Sequence, residues 1–341
     1  LFYLNFNISE NTTTGSYPVS LGLRSNSAWY FRDERNNARE INFHSGNITV
    51  QNAPEKFDID VARMILGNAL EFQFGVATSK IPDQTGYYAV IEKTWADGTV
   101  TVKTVPASHW GIAGAYWAIT YDGLAAKEMG DTFKVTIYNA DGVAVSNPRQ
   151  DAVRDYVARA YATQPATGKT MMVDMLCYGA AAQVHFGYNT TDLANNKLTA
   201  AQLATGTATT PEMSNDQVKG TNYQGSRFIL ESRIQVQMAF KNMTSAMYAV
   251  YTYTDAAGDI QVVYVEGTDF VLIGGKPAGV ELSNLVYADA RTLVNVTVYN
   301  ADGTIYGTAT DSIESCAYRS DGDVFVYLMK FADSAKAHLY G

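Results

Sequence analysis

The sequence predicts an α+β fold, mainly β: tandem antiparallel β-sandwich units, each followed by a helical hairpin, with a partial jelly-roll-like β module ahead of them. Three observations predict it. The run Val135 to Gly142 (VTIYNADG) recurs as Val296 to Gly303 (VTVYNADG), identical at seven of eight positions. Apolar and polar residues alternate over short segments, which is the period of a half-buried strand. Only 17% of the residues are charged while tyrosines number 23, a balance that suits sheet surfaces better than long solvated helices.

The chain has 341 residues, 47% of them apolar, which is enough for roughly two to three packed domains. It opens at Leu1 without a methionine, and Phe2, Leu4, Phe6 and Ile8 already alternate as in a strand, so it is read as starting inside a larger or processed polypeptide. Residues 1–53 form the partial β module, with further strands expected at Gly15 to Leu21 and Glu40 to Val50. Residues 54–188 form the first repeat. In it Leu70, Phe72 and Phe74 face one way against Glu71 and Gln73, and Val100 and Val102 alternate with Thr99, Thr101 and Lys103. The NADG loops at Asn139–Gly142 and Asn300–Gly303, and WADG at Trp95–Gly98, fit hairpins built on a type I turn with left-handed Gly.

A helix is expected from Asp151 as N-cap, with Val153, Tyr156, Val157 and Ala160 at helical spacing. After a break at 164–168, a second helix places Met172, Met175, Leu176, Gly179, Ala182 and Phe186 on one broad face, and its small residues allow close approach of a neighbour. Residues 189–225 are a linker with one short helix, marked by the capping-box pattern Thr199-Ala-Ala-Gln202. Residues 226–341 form the second repeat. Ile234 to Met238 parallels Leu70 to Phe74, Tyr248-Ala-Val250 parallels Tyr88-Ala-Val90, the segment from Asp311 parallels that from Asp151, and Met329 to His338 parallels Leu176 to His185.

The run Leu1 to Ile8, the Gly15-Ser-Tyr-Pro-Val-Ser-Leu21 turn into a strand and Glu40 to Val50 after a Gly turn resemble the closing strands of cohesin-type modules. The earlier strands of that family are missing, so the resemblance implies no dockerin binding. The two repeats, with the YNADG hairpin, the Asp-led helix and the Tyr178-Gly-Ala-Ala-Ala182 helix, resemble β-sandwich-plus-helix repeats of surface proteins of anaerobic Gram-positive bacteria. Together the resemblances imply an extracellular, modular, wall-associated polypeptide without enzymatic activity. A half module leaves an unpaired edge, so a protein partner or a neighbouring subunit is expected to complete it, with Phe2, Leu4, Phe6 and Ile8 as the assembly strand.

A formal charge of −9 with Lys and Arg scattered singly excludes the basic face that nucleic acid requires. The longest apolar stretch, Trp110 to Ile119 with two glycines, is short of the roughly 18 to 20 residues of a membrane-spanning helix. Cys177 and Cys316 stand in no metal or redox spacing, which leaves either one disulfide or, preferably, two buried thiols. His185 and His338 close the two second helices and are read as structural. Carboxylate pairs such as Asp58 with Asp60 or Asp151 with Asp155 have ordinary explanations in turns and helix starts, so no catalytic residue and no cofactor is expected, calcium in an Asp-rich loop being the one alternative left open. The aromatics are the best ligand contacts. Trp95, Trp110 and Tyr87 offer flat faces on which sugar rings can pack, which makes polysaccharide a candidate partner. The expected function is a non-catalytic structural or adhesive surface segment, self-assembling into a filament in its strongest form; carbohydrate-binding modules are the alternative.

Overall fold

In the computed structural model, described for residues 15–19, 31–32, 38–39, 46–50, 55–67, 69–231 and 233–341, the alternating segments are strands. They fall in two units, Leu1–Glu55 and Lys56–Gly341. In the first, β1 (Gly15–Val19) pairs antiparallel with β4 (Gly46–Val50), Gly15 opposite Val50 and Val19 opposite Gly46, and β2 (Phe31–Arg32) pairs with β3 (Ala38–Arg39). The expected strand carrying Phe2, Leu4, Phe6 and Ile8 lies outside the described residues.

The second unit holds both repeats. Repeat one comprises β5 (Val61–Leu66), β6 (Leu70–Ala77), β7 (Tyr88–Thr94), β8 (Val100–Pro106), β9 (Gly111–Ala113), β10 (Tyr116–Leu124), β11 (Thr132–Tyr138), β12 (Arg149–Asp151), α1 (Val153–Ala160) and α2 (Ala166–His185). After α3 (Ala200–Leu203), repeat two comprises β13 (Val218–Lys219), β14 (Tyr223–Leu230), β15 (Ile234–Phe240), β16 (Tyr248–Thr254), β17 (Ile260–Glu266), β18 (Val271–Ile273), β19 (Lys276–Leu282), β20 (Val294–Tyr299), β21 (Ile305–Asp311), α4 (Ile313–Tyr318) and α5 (Asp323–Leu339). Each repeat has two antiparallel sheets. The first repeat orders them β5-β6-β10-β9 and β12-β11-β7-β8, and the second β14-β15-β19-β18 and β13-β21-β20-β16-β17.

The two sandwiches are built by the same physics. Leu70, Phe72, Phe74 and Val76 of β6, and Ile234, Val236, Met238 and Phe240 of β15, point inward and are buried, as period two dictates. One glutamine between them in each strand takes an arginine of the neighbouring strand: Arg63 Nε donates to Gln73 at 2.7 Å, and Arg227 Nε donates to Gln237 at 2.8 Å. The NADG turns are as expected, with Gly142 at φ 76 and Gly303 at φ 83, each N–H bonded to the Asn oxygen at 3.0 and 2.9 Å. The strands leaving the two turns differ. In repeat two β21 follows β20 along its whole length with one register shift at Val298–Tyr299, whereas in repeat one Ser146 bridges to Phe57, Asn147 N donates to Phe57 O at 2.8 Å, and Pro148 supplies no donor, so only Arg149–Asp151 rejoins β11.

The first helix starts one residue later than expected. Ala152 is the N-cap, because Asp151 belongs to β12 and its carboxylate takes the Ala152 N–H and the guanidinium groups of Arg149 and Arg159. In repeat two Ser312 caps, its hydroxyl accepting from Ser315 N. Helix α3 forms with the expected reciprocal cap: Gln202 N donates to Thr199 Oγ1 at 3.2 Å and Thr199 N to Gln202 Oε1 at 2.8 Å. Past it, Val218–Lys219 adds a strand to β21.

Helix α2 is buried on nearly all sides, and Phe186, placed on its apolar face by spacing, lies beyond its last turn and is exposed. Where the small residues thin the helix, a methyl group at Gly179 would stand 2.8 Å from Met129 Sδ and 3.1 Å from Ala126 O. The main packing partner of α2 is α5 of the other repeat. Their centre is aromatic, Tyr178 stacking on Phe331 with centroids 6.1 Å apart and both touching Tyr287. The helices are antiparallel. His338 at the end of α5 meets Thr167 at the start of α2, Nδ1 to Oγ1 3.1 Å, and His185 at the end of α2 packs on Phe325 at the start of α5. Tyr178 and Phe331 occupy equivalent places in the two repeats, as do His185 and His338, so the contact has the self-complementary form of a twofold dimer interface made within one chain.

Candidate functional site

The hairpin β7–β8 and the turn before β11 build one buried charge cluster in repeat one. Lys93 lies on the inward face of β7 and is 1% exposed. Its ammonium is 2.7 Å from Glu128 Oε2 and 3.3 Å from Asp131 Oδ2, in charge contact rather than in well-angled hydrogen bonds. It also sits 3.7 Å from the centroid of the Trp95 ring, a favourable place for a desolvated cation. Tyr188, from the segment after α2, closes the site by donating its hydroxyl to Asp131 Oδ2 at 2.7 Å and packing edge-on against Trp95.

One ammonium thus faces two carboxylates. Burial, against the hydrogen bond from Tyr188 and the pull of Lys93, raises Asp131 to about 6. The same burial, with Asp131 alongside, raises the Tyr188 phenol far above its ordinary value. Glu128 is further held by the Ala125 N–H at 3.1 Å. Both carboxylates thus turn to the Lys93 ammonium, and Asp131 also to the Tyr188 hydroxyl.

A second buried carboxylate, Asp311, stands where Asp151 stands in repeat one. Arg319 Nη2 donates to it at 2.7 Å, Gln217 Nε2 at 2.8 Å, and Ser226 through its hydroxyl. Cys316 is beside it, 3.2 Å from Arg319 Nη2. Burial and the Asp311 charge push the Cys316 thiol up to about 11, so at neutral pH it is protonated and a poor nucleophile. Ser226, Cys316 and Arg319 line an open pocket with His185, Phe228 and Phe325, where the end of α2 meets repeat two. Cys177 and Cys316 are both free thiols. Among the described residues no group of three or more His, Cys, Asp and Glu converges as for a metal ion, and no helix is long and apolar enough to cross a membrane.

The three aromatic candidates do not share a surface. Trp110 is a core residue, 7% exposed, its indole N–H donating to Val105 O at 3.1 Å, so packing already occupies its ring faces. Tyr87 is half-buried against the core. Trp95 is half-buried beside its turn, bonded through Nε1 to Thr101 Oγ1 at 2.9 Å, with Lys93 over its ring. Spacing missed Lys93, Asp131 and Tyr188. Lys93 carried a signal, since a lysine in phase with Ala89 and Ile91 occupies an inward position and demands a counter-charge.

The fold defines the class: a duplicated β-sandwich protein whose repeats are joined through helices. No protein-family model and no curated protein sequence matches the chain. Among solved structures, the FN1–FN3 domains of chicken CNTN1 are similar at 9% identity, covering 83% of this chain and 75% of that one, with a TM-score of 0.22. Domains 7, 8 and 9 of the S-layer protein SbsC are similar at 11% identity, covering 80% of this chain and 65% of that one, with a TM-score of 0.20. A functional reading therefore stands on the residues of this chain.

Proposed function

We propose that the chain is a non-catalytic structural or adhesive segment of an extracellular bacterial surface protein, its N-terminal module completed by a strand exchanged with a partner or a neighbouring subunit. The observation that carries this reading is the α2–α5 contact. It merges two sandwiches into one core, as a stiff spacer needs, and the Cys316 thiol beside Asp311 is held protonated rather than activated. The resemblance of the N-terminal sequence to the closing strands of cohesin-type modules supports strand exchange, with Phe2, Leu4, Phe6 and Ile8 as the donor. Negative-stain microscopy and light scattering of the purified chain test the filament form: extended assemblies are expected, and a folded species never larger than a dimer would rule it out. Labelling of intact source cells by an antibody against the folded protein tests the location, with labelling only of opened cells as the contrary result.

A polysaccharide ligand is the second reading, favoured by Trp95, which lies at a hairpin tip outside the core. Retention on a polysaccharide gel that disappears in Trp95→Ala is the expected result. No retention of the unaltered protein on any polysaccharide would remove it.

A further inference from the structure

Four long strands end the sheets of the two repeats, and three of them carry a charge in mid-strand. β5 has Arg63 and β14 has Arg227, each tied to a glutamine of the next strand. β8 has Lys103, paired with Asp122, and ends on Pro106, which has no N–H. Such charges and prolines blunt edge strands, whose unpaired N–H and C=O groups otherwise recruit another strand. β17, the counterpart of β8, reads Ile-Gln-Val-Val-Tyr-Val-Glu and pairs with β16 without a bulge. Val263 stands in the place of Lys103, and Glu266 in that of Pro106.

The bonding phase of this edge can be read off. Asp255 N donates to Asp259 O at 2.9 Å, and bonded pairs alternate along an antiparallel ladder. Gln261, Val263 and Val265 therefore bond to β16, while Ile260, Val262, Tyr264 and Glu266 turn their N–H and C=O groups to the open side. The side chains of Ile260, Val262 and Tyr264 stand on the outer face, 78%, 66% and 54% exposed.

We propose that β17 pairs with β17 of a second copy of this chain, antiparallel about a twofold axis at Val263, joining two five-stranded sheets. This goes beyond the surface-protein reading and does not need the N-terminal strand. The occupant is set by the strand itself, because the outward-bonding residues are placed symmetrically about Val263 and reversal maps them onto themselves. In that register Ile260 of one copy faces Glu266 of the other, Val262 faces Tyr264, and Val263 faces its own mate. A β-branched residue opposite an aromatic is a favourable cross-strand pair, and no like charges meet. β8 is excluded as the mate by Lys103 and Pro106. The contact is isologous and closes at two copies. It is little more than a strand edge, smaller than a standard interface, so assembly depends on concentration.

Sedimentation velocity of the full chain over roughly 1 to 300 μM, a range that brackets weak self-association, tests it. The average mass is expected to rise towards two chains, and Val263→Lys, which installs the charge repeat one already carries, is expected to weaken association at least about 100-fold. Should that variant fold poorly, Val262→Lys, at an exposed position, is expected to do the same, while Val102→Lys in β8 leaves the dimer intact. Val263→Cys is expected to cross-link as a dimer under mild oxidation, since a non-bonded antiparallel pair has Cα atoms about 4.5 Å apart. A monomer at every concentration, or assemblies that form equally well in Val263→Lys and Val262→Lys, would overturn the proposal; the latter result would leave the N-terminal strand reading standing.

Discussion

The two repeats share their sheets, their turns and their paired second helices, and differ where charge is buried. Repeat one holds Lys93, Glu128 and Asp131 in its core. Repeat two has Tyr253, Asp289 and Thr292 at those places, and its Asp289 accepts the N–H groups of Val286 at 3.0 Å and Ala256 at 2.7 Å instead of meeting an ammonium. The outer bond of the turn shifts with it: the Ala96 N–H reaches Tyr188 at 3.5 Å, whereas Ala256 binds the carboxylate directly. The same scaffold therefore closes with or without the lysine. The cluster is a local solution to a buried cation rather than a requirement of the fold.

That contrast can be broken in order of size. Lys93→Met leaves two carboxylates buried without their cation and is expected to destabilise the protein by about 3–5 kcal/mol in urea unfolding. Lys93→Tyr with Asp131→Thr, the combination found in repeat two, is expected to recover most of that loss. If the double variant is as unstable as Lys93→Met, the two sites are not interchangeable.

Next comes pH. Asp131 has a folded value of about 6 against an ordinary 3.8, so folding takes up a proton between them. Its contribution to stability is full below the unfolded value and is lost as pH rises through the folded one, a change of about 3 kcal/mol. The stability of the unaltered protein relative to Asp131→Asn is therefore expected to fall by about 2 kcal/mol from about pH 4 to about pH 7. A difference that is flat or rises would contradict the surplus-carboxylate account.

Smaller effects separate the two Asp–Arg pairs. Asp311 is fully buried and the Arg319 side chain is 26% exposed, whereas that of Arg159, which serves Asp151, is 53% exposed and Asp151 also has Arg149. Arg319→Ala is expected to cost about 2 kcal/mol and Arg159→Ala less than about 1 kcal/mol. The smallest change is a gain. Tyr251, where repeat one has Ile91, buries a hydroxyl without a hydrogen-bond partner, so Tyr251→Phe is expected to raise stability by about 1 kcal/mol in the same unfolding assay.

The strands and turns were legible because their signals are local. Leu70 to Val76 alternates with period two, and each NADG turn needs only its own glycine in the left-handed region. Asp151 was misplaced as a cap because its two arginines, Arg149 and Arg159, compete for the carboxylate, and competition of that kind is invisible in a helix-start pattern. The surroundings of the aromatic candidates were hidden for a related reason. Trp110 and Trp95 look alike in sequence, yet one is packed in the core and the other over a lysine, and only the fold of β7 and β8 decides which. The packing of α2 was half legible: Gly179 announced a close approach, which is made to Met129 and Ala126 of its own repeat, but periodicity cannot say that the helix packed along it, α5, belongs to the other repeat.

The central claim is that the repeats share one core through that contact. Hydrogen exchange of the full chain in increasing urea, read on peptides covering β6 and β15, measures the opening of each sandwich separately. The account predicts equal opening free energies, and an equal fall in both on Phe331→Ala, which removes the stack on Tyr178. Exchange of β15 that falls alone, with β6 unchanged, would contradict it.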